Sequence, residues 1–125
     1  MAHILVVNDG SLMAGLINGS LRDDGHEITQ ADNPIHALDI MAKRDGSFDL
    51  ILTDVSSKPI SGFDFSKRLM TMGIKSPVLF MSESRSVISV VEDSLGRSAV
   101  IGKPFTAPQL RASVRKRLAA RGPGS

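Results

Sequence analysis

The stretch Leu50-Ile51-Leu52-Thr53-Asp54 is apolar apart from Thr53 until it ends in a carboxylate. A strand covered by helices on both faces has this composition, because neither of its faces meets water. The stretch therefore predicts a central strand of a parallel sheet.

Three other short apolar runs also end in polar residues. They are Val6-Val7-Asn8-Asp9, Val78-Leu79-Phe80-Met81-Ser82 and Val100-Ile101-Gly102-Lys103-Pro104. The carboxyl ends of parallel strands meet at one edge of a sheet, where open α/β sheets bind their ligands. We therefore expect carboxylates, a hydroxyl and an ammonium group at one edge. Such a set suits a divalent cation beside an aspartate that accepts a phosphoryl group.

Helical segments separate these runs, and His26–Ala31 alternates like a half-buried or edge strand. Asp32-Asn33-Pro34, Ser61-Gly62 and Thr106 are expected helix starts. Buried stripes of the first three helices are predicted at Leu12, Leu16, Ile17 and Leu21, at Ile35, Leu38 and Met41, and at Phe63, Phe65, Leu69 and Met70. Five alternating strands and helices predict an α/β, flavodoxin-like (βα)5 fold. It is a doubly wound three-layer sandwich with its switch point beside the first and third strands.

The length of 125 residues suits one domain, expected over 1–120, followed by a flexible tail over 121–125. The chain has no cysteine, which excludes disulfides and thiolate metal sites and suits the cytoplasm. No apolar run approaches the roughly 18 residues that span a bilayer. The first strand begins almost at Met1, leaving no room for a signal peptide. We expect a cytoplasmic domain without membrane contact.

The net charge is only +2, but basic residues crowd the last fifteen positions. We interpret them as a solvated helix face. Binding of nucleic acid is not expected, because the chain has no Trp or Tyr for base stacking and no helix-turn-helix segment after residue 120.

In order and spacing, these motifs resemble a response-regulator receiver domain over residues 3–120. Such domains carry an acidic pair after the first strand, an acceptor aspartate after the third, Ser or Thr after the fourth and Lys-Pro after the fifth. The corresponding residues here are Asn8-Asp9, Asp54, Ser82 and Lys103-Pro104. The resemblance implies a signalling switch that takes a phosphoryl group from a histidine kinase or histidine phosphotransfer protein. Its only expected chemistry is self-phosphorylation and autodephosphorylation.

The resemblance also implies a role for each site residue. Asp54 is the nucleophile, Lys103 pairs with its carboxylate and then with a phosphoryl oxygen, and Ser82 swings toward the phosphoryl group. In the implied Mg²⁺ site, Ser56 contributes its backbone carbonyl. The expected metal set is Asn8, Asp9, Asp54 and Ser56. The motion of Ser82 would repack the surface around the fourth helix and fifth strand, and the face formed with the fifth helix suits a homodimer.

Three positions depart from the family pattern. Asn8 replaces a carboxylate, so we expect weaker Mg²⁺ binding. Lys58 stands where the family commonly has proline, with Pro59 one residue later and Gly62 at its usual distance; we hypothesise that Lys58 supplies a substitute cation. Val100 replaces an aromatic switch residue, which predicts altered coupling from site to surface.

These departures keep a second interpretation open, an atypical pseudo-receiver that serves as an interaction module without phosphorylation. A Mg²⁺-dependent phosphohydrolase is disfavoured, because Ser56 stands where such enzymes need a second carboxylate. A nucleotide-binding protein is disfavoured because no Gly-rich phosphate loop follows the first strand.

Overall fold

The protein is an alternating α/β domain, seen in a computed structural model that describes residues 2–8, 12–43 and 48–120. The strands in these ranges are β1 (His3–Val7), β2 (Glu27–Ala31), β3 (Leu50–Asp54), β4 (Val78–Ser82) and β5 (Val100–Gly102). The helices are α1 (Leu12–Asp23), α2 (Pro34–Lys43), α3 (Gly62–Thr71), α4 (Arg85–Leu95) and α5 (Ala107–Ala119). A short 3-10 turn, Arg97–Ala99, precedes β5.

The strands form one parallel sheet in the order β2-β1-β3-β4-β5. The first four residues of β3 have no solvent exposure, as predicted for a central strand. The strand order reverses beside β1 and β3, so the predicted flavodoxin-like fold is confirmed. The register pairs Val7 with Thr53, Asp54 with Met81 and Ser82 with Gly102. The polar strand ends therefore share one edge.

Two hydrophobic layers hold the helices against the sheet. One layer packs α2, α3 and α4 on one face, through side chains that include Met41, Phe65 and Val91. The other packs α1 and α5 on the opposite face, through side chains that include Ile17 and Val114. The result is the expected three-layer sandwich. In the described parts of the chain, every helix is too short or too polar to cross a bilayer.

Four predicted stripe residues are wrong, because their side chains are exposed. Their exposed fractions are 97% for Leu12, 43% for Leu16, 43% for Ile35 and 74% for Met70. Each helix buries a narrow stripe, and residues one or two positions away turn out of it. In α2 the stripe is centred on Ala37 and Met41, which turns Ile35 outward. A stripe predicted from large apolar residues is therefore wider than the face that is actually buried. In α2 the small residue Ala37 lies where the helix packs closely on the sheet.

The helix starts agree with the sequence where they are described. Pro34 is the first residue of α2, and the Ser61 hydroxyl accepts a hydrogen bond from the Asp64 N–H at 3.1 Å. Thr106 and Gln109 form a reciprocal capping box at the start of α5. The predicted site residue Asp9 and the tail 121–125 lie outside the described residues.

Candidate functional site

An ion pair between Asp54 and Lys103 forms the centre of the polar edge. Lys103 Nζ donates to Asp54 Oδ2 across the gap between the ends of β3 and β5. The exposed fractions of the two side chains are 16% for Lys103 and 24% for Asp54. An ammonium group this buried is costly unless it is paired, so the ion pair explains how a lysine can end an apolar strand.

The second oxygen of the Asp54 carboxylate also has a partner. Asp54 Oδ1 accepts a hydrogen bond from the backbone N–H of Ser56 at 3.2 Å. The carboxylate is therefore fixed by one contact on each oxygen. The described contact of Ser56 with Asp54 is through its N–H, whereas the family resemblance implies that its carbonyl binds a metal; that carbonyl role stays a prediction.

Ser82 lies next to this pair at the end of β4. Its side chain is almost fully buried, and its hydroxyl oxygen accepts a hydrogen bond from the Ser84 N–H at 3.1 Å. The Ser82 carbonyl accepts from the Lys103 N–H at 2.8 Å. A main-chain hydrogen bond thus joins Ser82, which carries the hydroxyl, to Lys103, which carries the ammonium group.

An open cleft of about 870 Å³ contains these groups. Five of the predicted site residues line it: Asn8, Asp54, Ser56, Ser82 and Lys103. Asn8 reaches the cleft because Val7 pairs with Thr53, which places the next residues of the two strands, Asn8 and Asp54, beside each other. The placement of Asp9 at the site stays a prediction.

Lys58 also lines the cleft, in the loop between β3 and α3, and it is exposed to solvent. The peptide bonds Lys58–Pro59 and Lys103–Pro104 are both cis. A second cationic side chain thus stands at the cleft that contains the Asp54 carboxylate.

Gly62 is required by a close approach of two backbone segments. A Cβ atom there would lie 2.5 Å from the carbonyl oxygen of Asp54 and 3.1 Å from the Cα of Val55. The Gly62 N–H donates to the Val55 carbonyl at 3.0 Å. The sequence shows this glycine at a family-like distance from Asp54, and the structure supplies the physical reason.

Two acidic cleft residues were missed by sequence reasoning. Asp32 and Glu83 both line the cleft. Each follows directly after the last residue of a strand, Ala31 in β2 and Ser82 in β4. The rule that located Asp54 would have found them if it had been applied to the residue after each strand.

The donor chemistry of the cleft fits a hard cation such as Mg²⁺. The described residues contain no group of three or more His, Cys, Asp or Glu side chains arranged around a metal position. Mg²⁺ is commonly bound by one or two carboxylates while it keeps several waters, and an open cleft with the Asp54 carboxylate meets that requirement.

The fold is a doubly wound parallel sheet of the flavodoxin-like class. Its polar site, at the switch point, combines a carboxylate, a hydroxyl and an ammonium group. A sequence model described as the response regulator receiver domain matches residues 4–115. The chain belongs to this family, whose members act in two-component signalling as partners of histidine kinases or phosphotransfer proteins.

Individual relatives agree with this assignment. The chain is similar to the chemotaxis protein CheY-3 of Vibrio cholerae, at 33% identity over 117 residues, covering 90% of this chain and 88% of that protein. It is 29% identical to the sporulation initiation phosphotransferase F of Bacillus subtilis, covering 92% of each. It is also 30% identical to the transcriptional regulatory protein DltR of Streptococcus agalactiae, covering 92% of this chain and 51% of that protein. The chain thus spans about half the length of some curated relatives.

Solved structures show the same fold. The chemotaxis response regulator CheY4 of Vibrio cholerae superposes with a TM-score of 0.76 at 28% identity, covering 93% of this chain and 98% of that one. The Francisella response regulator 1452 receiver domain has a TM-score of 0.80 at 23% identity, covering 96% and 98%, and supports the fold alone.

Proposed function

We propose that this domain is a phosphorylation-dependent switch in which Asp54 accepts a phosphoryl group from a phosphohistidine donor. The observation that carries the proposal is the Asp54–Lys103 ion pair, which lines an open cleft with the buried hydroxyl of Ser82 on the neighbouring strand. A nucleophilic carboxylate with a fixed cation beside it suits phosphoryl transfer, which depends on positioning and charge neutralisation.

In the proposed step, a carboxylate oxygen of Asp54 attacks phosphorus. The O–P bond forms as the N–P bond of the donor breaks, and the electron pair of that bond stays on the imidazole nitrogen. Lys103 is already held at the carboxylate, so it needs little movement to pair with a phosphoryl oxygen. The Ser56 N–H fixes the orientation of the attacking group.

The proposed Mg²⁺ site uses the same residues that the sequence indicates. Asp9, Asp54 and the backbone carbonyl of Ser56 would hold the ion, with Asn8 beside them. When bound, Mg²⁺ would neutralise the charge that develops on the phosphoryl oxygens. Asp54 can contribute a ligand because its side chain remains partly open to the cleft.

The proposed output begins at Ser82. Its hydroxyl accepts from the N–H of Ser84, and the Ser84 hydroxyl caps α4 by accepting from the Val87 N–H at 3.3 Å. If Ser82 turns to donate to the phosphoryl group, the contact with Ser84 is released at the start of α4. The face formed by α4, β5 and α5 would then change its affinity for a protein partner or for a second copy of the domain.

The test is exposure to a small-molecule phosphodonor with Mg²⁺, followed by intact mass measurement. We expect one added phosphoryl group on the wild-type protein and on the control Asp39→Asn, which changes an exposed carboxylate on α2. The group should be absent from Asp54→Ala and Asp54→Asn. Labelling that persists in both Asp54 variants would overturn the assignment.

A wild-type protein that accepts no phosphoryl group from either a small donor or a phosphorylated phosphotransfer protein would instead support the pseudo-receiver. In that interpretation the domain binds its partner without phosphorylation, so partner binding of the wild type would be the same with and without a phosphodonor.

A further inference from the structure

A short chain of side-chain amides runs from α1 to the end of β1, next to the cleft. Asn18 Nδ2 donates to Gln30 Oε1 at 3.0 Å. Gln30 Nε2 in turn donates to two backbone carbonyls, those of Asn8 and Ala31, each at 3.0 Å. These partners set the orientation of the Gln30 amide, because its nitrogen meets two acceptors and its oxygen meets a donor.

The Gln30 amide bonds to the main chain just beyond the last paired residues of β1 and β2, which are Val7 and Ala31. β2 ends at Ala31, whose carbonyl accepts from the Asn8 N–H at 3.0 Å. The Asn8 carbonyl accepts a hydrogen bond from the side-chain amide of Gln30, which lies on β2. The main chain of Asn8 is thus held at both its N–H and its carbonyl as it leaves the sheet.

The segment held in this way borders the proposed cation site. Asn8 lines the cleft together with Asp54, and its carbonyl belongs to the peptide bond that joins it to Asp9. Mg²⁺ demands near-ideal ligand geometry, so a small shift of this backbone would be felt in affinity. Groups that orient the ligands of a metal commonly change affinity by roughly 10- to 100-fold when they are removed.

We propose that Gln30 is a positioning residue for the cation-binding side of the Asp54 cleft, acting through the main chain of Asn8. This inference rests on the proposed function, because it requires that the cleft binds Mg²⁺. Gln30 does not itself touch the reacting groups; its amide holds the strand end from which the binding segment departs.

The test compares Gln30→Met with a matched control on the same strand. Methionine keeps the length of the side chain and removes both donors. Thr29→Val is the control, because it deletes the hydrogen bond between Thr29 Oγ1 and His3 Nε2, which joins the same two strands away from the cleft. Affinity is measured by adding MgCl2 to the unphosphorylated protein and following backbone amide shifts, and stability is measured by urea unfolding.

We expect Gln30→Met to bind Mg²⁺ about 10-fold more weakly than Thr29→Val at comparable stability. Asn18→Ala, which removes the donor that orients Gln30, should weaken binding in the same direction by a smaller factor. Asn18→Ala also keeps the proposal testable if Gln30→Met does not fold.

Equal Mg²⁺ affinities for the wild type, Gln30→Met and Asn18→Ala would overturn the positioning role, even if Asp54 is phosphorylated normally. A wild-type protein that binds no Mg²⁺ would overturn both this role and the metal-dependent part of the proposed function. The two failures are therefore distinguishable.

Discussion

Asn8 is the residue at which this chain departs most directly from its family, since it places an amide where a carboxylate is usual. Asn8→Asp should raise Mg²⁺ affinity about 30-fold, because one added negative charge about 4 Å from a divalent ion contributes about 2 kcal/mol even under water-like screening. Titration of both proteins with MgCl2 would measure this. Identical affinities would show that position 8 does not contribute to cation binding.

Lys58 offers a second residue-scale test. If its ammonium group assists Lys103 at the cleft, Lys58→Ala should slow phosphorylation of Asp54 by a small-molecule donor several-fold, because a nearby positive charge would be lost. The initial rate of mass gain is the measurement. Lys67→Ala on α3 is the control, because it removes an exposed lysine outside the residues that line the cleft. Unchanged phosphorylation and metal affinity in Lys58→Ala would remove Lys58 from the site.

Gly62 sets the closest backbone contact at the site. Gly62→Ala should lower the free energy of unfolding by roughly 1–3 kcal/mol, because the new Cβ would clash with the Asp54 carbonyl and displace the end of β3. Gly19→Ala is the matched control. Gly19 is an exposed position of α1, where nothing beyond its chain neighbours and the nearby helix backbone lies within 4 Å of the new Cβ, and the change should stabilise by up to about 1 kcal/mol. The free energies of unfolding of both variants are measured in urea. Equal changes in the two variants would contradict the close contact at Gly62.

Among the elements, the turn that follows α1 is joined to α5 by an ionic link that makes stability depend on pH. Arg115 Nε donates to Asp24 Oδ2 at 2.9 Å, and its second contact with that carboxylate is an ion pair. The hydrogen bond from Arg115 lowers the pKa of Asp24. Burial lowers the pKa of His26, although Asp24 nearby opposes this shift. His26 Nδ1 accepts a hydrogen bond from the Ala2 N–H at 3.2 Å, which favours the neutral ring.

Both shifts predict a loss of stability in acid. The unfolded chain takes up a proton on histidine near its ordinary pKa of 6.5, whereas folded His26 resists protonation to a lower pH. Stability is therefore greatest above that value and falls as pH drops toward the folded pKa. The contribution of Asp24 is present above 3.8 and is lost later, as pH falls through its lowered pKa.

His26→Gln should accordingly flatten the stability profile between about pH 7 and about pH 5. Thermal unfolding at several pH values is the measurement. His36→Gln, which replaces an exposed histidine on α2, is the control for loss of an imidazole elsewhere in the chain. A slope that is the same in His26→Gln and the wild type would show that another group carries the dependence.

At the scale of the whole molecule, the proposed switch depends on communication between the sheet edge and α4. The contact of Ser82 with Ser84 connects them, and β5 lies close beneath α4, since a Cβ on Gly102 would lie 3.1 Å from Ile88 Cδ1. Val100 is buried in this region and has no ring to swing outward. We therefore expect the proposed signal to pass through movement of α4 and its connecting loop rather than through an aromatic side chain at position 100.

Ser82→Ala tests this coupling. Asp54 should still accept a phosphoryl group, because the nucleophile and Lys103 are intact, but the amide shifts that phosphorylation causes in α4 should shrink. Spectra recorded with and without phosphodonor, for the wild type and Ser82→Ala, give the comparison. Undiminished shifts in α4 would mean that the signal leaves the site by another path.

The sequence by itself determined the fold class, because continuous apolar runs and capped amphipathic segments alternate in an order that only a doubly wound parallel sheet accommodates. It also indicated Asp54, Ser82 and Lys103 together, since a parallel sheet brings all carboxyl ends to one edge. Only the tertiary structure decided which sides of the helices are buried, why position 62 must be glycine, and that the Gln30 amide holds the end of β1. Those features depend on distances between segments far apart in the chain, and neither periodicity nor local propensity encodes such distances.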